Sequence, residues 1–194
     1  MIHLPAFGVL VVLCLIGGSD GALPSNCTVM QDVNGCSIPF GLPFPYKTLF
    51  TLSCYAHDVC YRCGQKYSWT QKQCDDSFKK EMHRLCEDKY SVYLNNHKSS
   101  LFMNLGEIYK KIYNGWKKAT ENKSSKEEAK RLWREAYTLF KMITKWTFIF
   151  NDEKKCKHGA DIYHHAVKSF GIYAFRQKSK AHCSEKCAET IGKP

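Results

Sequence analysis

The chain has 194 residues, 11 cysteines and a formal net charge of +11. This length suits one domain, and the strong positive charge favours partners with anionic membrane surfaces or acidic glycans. No recognised nucleic-acid-binding motif accompanies the charge, so we expect no nucleic-acid partner. Beyond the N-terminal segment no stretch is apolar for long enough to form a transmembrane helix.

The N-terminal segment has the pattern of a secretory signal peptide. Residues 9–16 form an apolar run that is too short to span a bilayer, and small residues follow at 17–22. This combination is typical of a leader that is cleaved after export, here after Gly21. We therefore predict a signal peptide over 1–21 and a secreted, extracellular domain over 22–194.

The cysteines predict a disulfide framework that joins the two ends of the chain. One of the 11, Cys14, lies in the leader, and the remaining ten predict five disulfides in an oxidising compartment. Seven of these ten precede residue 97 and three follow residue 150. Since both numbers are odd, complete pairing within the chain requires at least one bridge between the halves.

Residues 23–52 are predicted to be a loop, because three prolines and a glycine over 38–46 are incompatible with a regular helix. The apolar side chains that alternate through this loop have two interpretations. They either fill the core beneath the disulfides, or they form a rim that inserts into lipid or guides an acyl chain.

A helix over 53–65 carries the most distinctive residues, a His-Asp pair between two cysteines: Cys54-Tyr55-Ala56-His57-Asp58-Val59-Cys60-Tyr61. In a helix His57 and Tyr61 share one face, whereas Asp58 points about 100° away. The histidine can thus act as a base on one side while Asp58 holds a cation on the other. The alternative is a disulfide-braced helix with incidental polar residues.

A second helix is predicted from about 73–75 to about Tyr90, forming an antiparallel pair with the first. Asp75, Phe78 and Met82 recur on the stripe that faces the core. An ionised acid on such a stripe needs a partner, which makes Asp75 the candidate to orient His57. Two alternatives remain: Asp75 or Asp76 caps the helix N-terminus, or Asp161 on a later helix supplies the acid.

The cysteine-free segment 97–150 predicts two amphipathic helices with a break at 120–125, the second opened by a capping box at 124–127. Their apolar faces pack against each other or the core, or else the basic amphipathic surface binds lipid. Several pairs of adjacent basic residues are candidate sites at which proteases would cleave the precursor into two chains. A further helix is predicted over 156–175.

The His-Asp motif followed by the downstream Cys74-Asp75 pair resembles the two active-site helices of secreted phospholipase A2, and Cys63-Gly64 makes the chain similar to the conodipine branch of marine venoms. The resemblance covers 34–86, extends more weakly to 156–175 and does not include 97–150. It implies a mainly α fold, a disulfide-braced phospholipase A2-like helix pair with additional C-terminal helices.

The same resemblance implies a division of the domain. It comprises a catalytic half over 22–96, the segment 97–150 that is open to processing, and a C-terminal half over 151–194. Conodipine-like proteins consist of a larger and a smaller chain held by disulfide, which here implies two linked chains from one precursor.

The function that the resemblance implies is calcium-dependent hydrolysis of the sn-2 ester of glycerophospholipids by a venom or secretory enzyme, acting at an anionic phospholipid membrane surface. His57 would deprotonate the attacking water, Asp75 would orient His57, and Tyr61 would support Asp75 through its hydroxyl. The alternative is a non-catalytic phospholipase A2-like toxin that binds a membrane receptor or an ion channel.

Calcium is the cofactor that the resemblance implies. Asp58 would be its carboxylate ligand, with the Asn34 side chain and the Gly35 carbonyl as further oxygen ligands. In related enzymes an aspartate is commoner at the position of Asn34, so one negative charge fewer predicts weaker calcium binding. Asp32 could compensate for the missing charge.

Overall fold

The computed structural model describes residues 26–37, 39–42, 46–91, 104–121 and 125–194, so the predicted signal peptide lies outside it. Within these ranges the regular elements are all helical, and the predicted mainly α, disulfide-braced fold is confirmed. The α-helices are α1 (Lys47–Tyr67), α2 (Gln71–Ser91), α3 (Leu105–Thr120), α4 (Lys126–Thr147), α5 (Asp152–Phe170), α6 (Ile172–Phe175) and α7 (Lys186–Gly192), and short 3-10 turns occupy Thr28–Asp32, Pro39–Gly41 and Ala181–Ser184. None of the described helices has the length and apolarity needed to cross a membrane.

Helix α1 begins six residues before the predicted start, so the expectation of a loop through 23–52 is wrong for its last residues. The prolines end at residue 45, and Tyr46 adopts a left-handed backbone conformation (φ 64°) directly before the first turn. Phe50 in the second turn is fully buried. The helix therefore forms as soon as the chain is free of proline, because its early turns cover the core.

Helices α1, α2 and α5 form the layer that carries the His-Asp motif. Residues Phe50, Phe78, Met82 and Tyr163 are buried together in one cluster. The three-residue connection 68–70 reverses the chain between α1 and α2, as the sequence predicts for an antiparallel pair. Disulfides then tie α2 to each of its neighbours.

Helices α3 and α4 form a hairpin that packs on α5. The buried side chains of the hairpin join two residues of α5 and one of the preceding loop in a single apolar cluster: Leu42, Ile108, Ile112, Ala136, Leu139, Ile143, Trp146, Ile162 and Ala166. Leu42 and the half-buried Phe40 thus act as core residues, the first of the two interpretations for their loop.

The break between α3 and α4 falls where it is predicted, but the cap is one residue later than expected. The side chain of Ser125 accepts a hydrogen bond from the Glu128 backbone N–H, so Ser125 is the N-cap. A box at 124–127 would place the cap at Ser124, which lies outside the described residues. Two adjacent serines offer the same hydroxyl, and only the helical register distinguishes them.

The last long helix also starts earlier than predicted. Asn151 caps α5 by accepting from the backbone N–H of Lys154. Helix α5 then runs from Asp152 to Phe170, and Gly171 separates it from the single turn α6. The predicted range 156–175 therefore contains two helices rather than one.

Five disulfides use all ten cysteines that follow Cys14, as predicted. Three of them connect the first half to the last: Cys27–Cys187, Cys63–Cys183 and Cys86–Cys156. The other two, Cys36–Cys54 and Cys60–Cys74, lie within the first half. The prediction of at least one bridge between the halves is confirmed.

Candidate active site

The imidazole of His57 and the carboxylate of Asp75 form a buried pair at the centre of the α1–α2 interface. The distance from His57 Nε2 to Asp75 Oδ1 is 2.9 Å. The two side chains are only 6% and 3% exposed. Asp75 lies inside α2 rather than at its N-terminus, so it is not the helix cap.

Tyr61 approaches the same carboxylate oxygen from the next turn of α1. Its hydroxyl donates to Asp75 Oδ1 at 2.6 Å. Burial and the neighbouring Asp75 raise the pKa of the Tyr61 phenol above its ordinary value, so this hydroxyl stays protonated and remains a donor. The sequence prediction that His57 and Tyr61 share one helix face is confirmed by this convergence.

The contact of His57 Nε2 with Asp75 indicates the tautomer of the imidazole. An ionised carboxylate only accepts hydrogen bonds, so the histidine nitrogen facing Asp75, Nε2, carries the proton. The other ring nitrogen, Nδ1, then has the free lone pair. A neutral imidazole held in this way can accept a proton at Nδ1.

Aromatic rings hold the imidazole from two sides. Phe78 stacks on it with ring centroids 4.5 Å apart and an angle of 28° between the planes. The Tyr61 ring lies at 4.2 Å. Because both neighbours are bulky and buried, they restrict rotation of the His57 ring.

Asp58 points away from His57 and contacts the loop before α1. Its Oδ2 accepts from the backbone N–H groups of Asn34 and Gly35, at 2.9 and 3.0 Å. Burial raises the pKa of the Asp58 carboxyl, opposed by the Asn34 N–H and by the positive charge of Arg62. Gly35 has φ +69°, a conformation that favours glycine, and this turn brings the loop against the carboxylate.

The donor set at Asp58 fits a hard divalent cation. A desolvated carboxylate gains from a nearby positive charge. The adjoining loop, whose backbone N–H groups face Asp58, also carries carbonyl and amide oxygens, the type of ligand that calcium prefers. The side chain of Asn34 is exposed at this place and brings no charge. Asp58, Asn34 and Gly35, the three residues that the sequence predicts as ligands, therefore lie together.

A cavity of about 280 Å³ joins the His57 and Asp58 environments. Its polar side is formed by His57, Asp58 and the loop at Asn34 and Gly35. The opposite wall is apolar and comes from α2 and α5: Phe78, Tyr163, Ala166, Val167 and Phe170. The arrangement places an imidazole, a carboxylate with its adjoining loop and an apolar surface around one space.

Two acids that the sequence offers as alternatives are used elsewhere. Asp161 pairs with Lys79 and His83, each at 2.9 Å, and so does not serve His57. Asp32 pairs with Lys180 at 2.8 Å and lies 3.1 Å from His182 Nε2. Compensation by Asp32 for the missing charge at Asn34 would require these contacts to break.

Two residues of the site were not found from the sequence. A Cβ built on Gly171 would lie 2.7 Å from the Tyr61 hydroxyl oxygen, so only glycine leaves room for that hydroxyl. Phe175 packs edge-on against the Tyr61 ring, with centroids 5.3 Å apart. Both lie more than 100 residues beyond Tyr61, and no local pattern signals such a contact.

The chain is similar to conodipines of two cone snails. Conodipine-P2 and Conodipine-P1 of Conus purpurascens are each 39% identical over 66 residues, which is 34% of this chain and 36% of theirs. Conodipine-M alpha chain of Conus magus is 42% identical over 53 residues, 27% of this chain and 68% of that protein. The match thus spans about a third of the length of the first two. No family model matches the chain, and no solved structure matches it.

Proposed function

This chain belongs to the conodipine family, a branch of the secreted phospholipases A2, and we propose that it is a calcium-dependent enzyme that hydrolyses the sn-2 ester of glycerophospholipids. The observation that carries this proposal is the convergence of His57 Nε2 and the Tyr61 hydroxyl on Asp75 Oδ1. A buried acid with two donors is suited to hold a catalytic base rather than to act by itself.

In the proposed mechanism His57 is the general base. Its Nδ1 takes a proton from water while the water oxygen attacks the ester carbonyl. Asp75 holds the ring in the required tautomer and stabilises the imidazolium that forms. The same Nδ1 proton then passes to the alcohol oxygen of the leaving lysophospholipid. Calcium bound at Asp58, with oxygens of Asn34 and Gly35, would supply positive charge for the ester carbonyl oxygen and the substrate phosphate.

The apolar wall of the cavity supports a lipid substrate. Phe78, Tyr163 and Phe170 offer a surface for an acyl chain beside the base, and burial of such a chain is favourable by about 0.8 kcal/mol per CH₂ group. The five disulfides support secretion. We infer an anionic phospholipid membrane as the partner, because the chain carries a net charge of +11.

The test is hydrolysis of phospholipid vesicles by wild type and by His57→Gln, with calcium and with a chelator. Glutamine can still donate to Asp75 but cannot take the proton, so we expect activity to fall by about 10²–10⁴-fold with the fold retained. His83→Gln is the matched control, because His83 pairs with Asp161 outside the site and should keep its activity. Near-normal turnover by His57→Gln would refute the mechanism.

One observation favours a second candidate, a non-catalytic toxin on the same scaffold. The backbone N–H groups of Asn34 and Gly35 satisfy Asp58 without any cation, and Asn34 adds no charge. Absence of both hydrolysis and calcium binding in calorimetry, with intact binding to membranes, would support this candidate.

A further inference from the structure

A row of aromatic rings runs along the seam between α3 and α4. Rings of the two helices meet in pairs, with centroids 5.4 Å apart for Tyr109 and Phe140 and 5.9 Å for Tyr113 and Trp133. Trp133 also contacts Trp116, at 4.9 Å. We call these six residues the aromatic seam: Tyr109, Tyr113, Trp116, Trp133, Tyr137 and Phe140.

Three of the six rings of the aromatic seam are exposed, and the other three are half-buried. Tyr109 and Tyr113 are each 42% exposed, and Tyr137 is 46% exposed. Phe148 and Phe150, just beyond α4, are more exposed still. Among the described residues, five of the seven exposed large hydrophobic side chains thus lie on the hairpin or directly after it. Contiguous apolar exposure of this kind marks an interaction surface.

Basic residues border the seam in a repeating order. The order on α3 is the buried Ile108, the aromatic Tyr109 and then Lys110, each about 100° further around the helix. On α4 the same order of a buried, an aromatic and a basic residue recurs twice. The two basic residues are Arg134, which follows Trp133, and Lys141, which follows Phe140. The Lys141 ammonium lies 5.2 Å from the centre of the Tyr137 ring. We call this set the basic border: Lys110, Lys117, Arg134 and Lys141.

We propose that the aromatic seam and the basic border form a docking surface for anionic phospholipid bilayers. Tyr and Trp prefer the membrane–water interface, where the ring meets the acyl boundary and the polar tip meets water. Lys and Arg beside them reach lipid phosphates. A protein partner fits less well, because the cores of protein–protein interfaces are depleted in lysine, whereas lysine flanks this seam on both helices.

The hairpin also contacts the wall of the candidate active site. The ring of Phe40 occupies the space that a side chain at Gly115 of α3 would need. Phe40 packs edge-on against Phe170, with centroids 5.3 Å apart, and Phe170 lines the cavity beside His57. Lipid docked on the seam would therefore lie on a hairpin that packs, through Phe40, against the wall of the cavity. This consequence rests on the proposed function, but the docking itself does not.

The experiment measures binding to vesicles of equal parts phosphatidylcholine and phosphatidylserine by cosedimentation. One variant removes the exposed rings (Tyr109→Ala, Tyr113→Ala and Tyr137→Ala together). Another reverses two border charges (Lys110→Glu with Lys141→Glu). We expect each to bind at least about tenfold more weakly than wild type, since the first loses the rings that enter the interface and the second loses attraction to lipid phosphates. Lys80→Glu with Lys178→Glu, away from the hairpin, makes the same change in net charge and should bind nearly normally.

Two measurements keep this result separate from catalysis and from misfolding. His57→Gln should bind these vesicles like wild type even if it hydrolyses nothing, so docking and hydrolysis fail independently. Circular dichroism verifies the fold of each variant, and brominated lipid should quench the fluorescence of Trp116 and Trp133 in wild type. Normal vesicle binding by both folded seam and border variants would overturn the proposal, as would wild-type binding to heparin without binding to the vesicles.

Discussion

Gly171 lies directly against Tyr61: a Cβ at this glycine would be 2.7 Å from the Tyr61 hydroxyl oxygen and 2.5 Å from the Val167 carbonyl oxygen. The hydroxyl in turn donates to the acid that holds His57. The end of α5 therefore supports the candidate catalytic pair from behind, through a single residue without a side chain.

We expect Gly171→Ala to lower activity and stability together. The added methyl group must displace either Tyr61 or the end of α5, and overpacking of this kind costs about 1–3 kcal/mol. The backbone angle (φ −79°) is ordinary, so no conformational strain contributes. Thermal unfolding and vesicle hydrolysis measure the two effects. Gly106→Ala, at an exposed place on α3, should leave activity unchanged. Any effect on stability should have the opposite sign, because alanine favours a helix more than glycine does.

Two substitutions should distinguish the role of Asp75 from that of Tyr61. Asp75→Asn tests the orientation of His57, and Tyr61→Phe tests the support that the tyrosine hydroxyl gives to Asp75. Removing the charge of Asp75 takes away the group that stabilises the imidazolium, so we expect turnover to fall by about 10²–10⁴-fold. Tyr61→Phe keeps the His57–Asp75 bond and should lose less activity, while the lost hydrogen bond to a charged group costs about 1.5–3 kcal/mol of stability. Equal kinetic losses in both variants would contradict this division.

Asn34→Asp should tighten calcium binding by about tenfold, because it adds a carboxylate to a site with one. Isothermal calorimetry on wild type and variant measures the change. Asp32→Asn serves as the control, since Asp32 pairs with Lys180 and should leave the calcium affinity unaltered. No detectable calcium binding in wild type or Asn34→Asp would favour the non-catalytic toxin.

Cleavage between α3 and α4 should leave one disulfide-linked molecule. Three bridges connect the two halves, so the fragments should separate only after reduction. Mass spectrometry of the secreted protein before and after reduction, with mapping of the bridged peptides, tests this. Free thiols in both halves without any bridging peptide would contradict the disulfide arrangement.

Asp161→Asn should destabilise the fold in a pH-dependent way. Burial alone would raise the pKa of Asp161, but its contacts with Lys79 and His83 outweigh burial and lower the pKa below the ordinary value of 3.8. The ionised form thus stabilises the fold above that value, and this contribution is lost as the pH falls through the lower folded-state pKa. The difference in Tm from wild type should shrink in acid.

Helical periodicity places His57 and Tyr61 on one face of the first helix and Asp75 on the inner face of its neighbour. The family resemblance was needed to prefer Asp75 over Asp161 and to give Tyr61 its role. Periodicity also identified the apolar faces of α3 and α4. It did not identify Gly171 or Phe175, since periodicity shows which face is apolar but not what covers it. The odd number of cysteines in each half likewise required at least one disulfide between the halves. It did not show which cysteines pair, because the pairing depends on how distant segments pack.

Phe40 contacts both Gly115 of the hairpin and Phe170 of α5. Because of this contact, a single cleavage of the chain and excision of the whole hairpin should have different structural consequences. One cut in the connection between α3 and α4 would leave both helices in place as a cover for Leu42, Ile162 and Ala166. Two cuts that released the hairpin would expose these three residues to solvent. The Phe40 ring would also lose its packing against Gly115. Maturation by a single incision keeps the molecule whole, whereas removal of the hairpin demands a replacement surface from another molecule or from lipid.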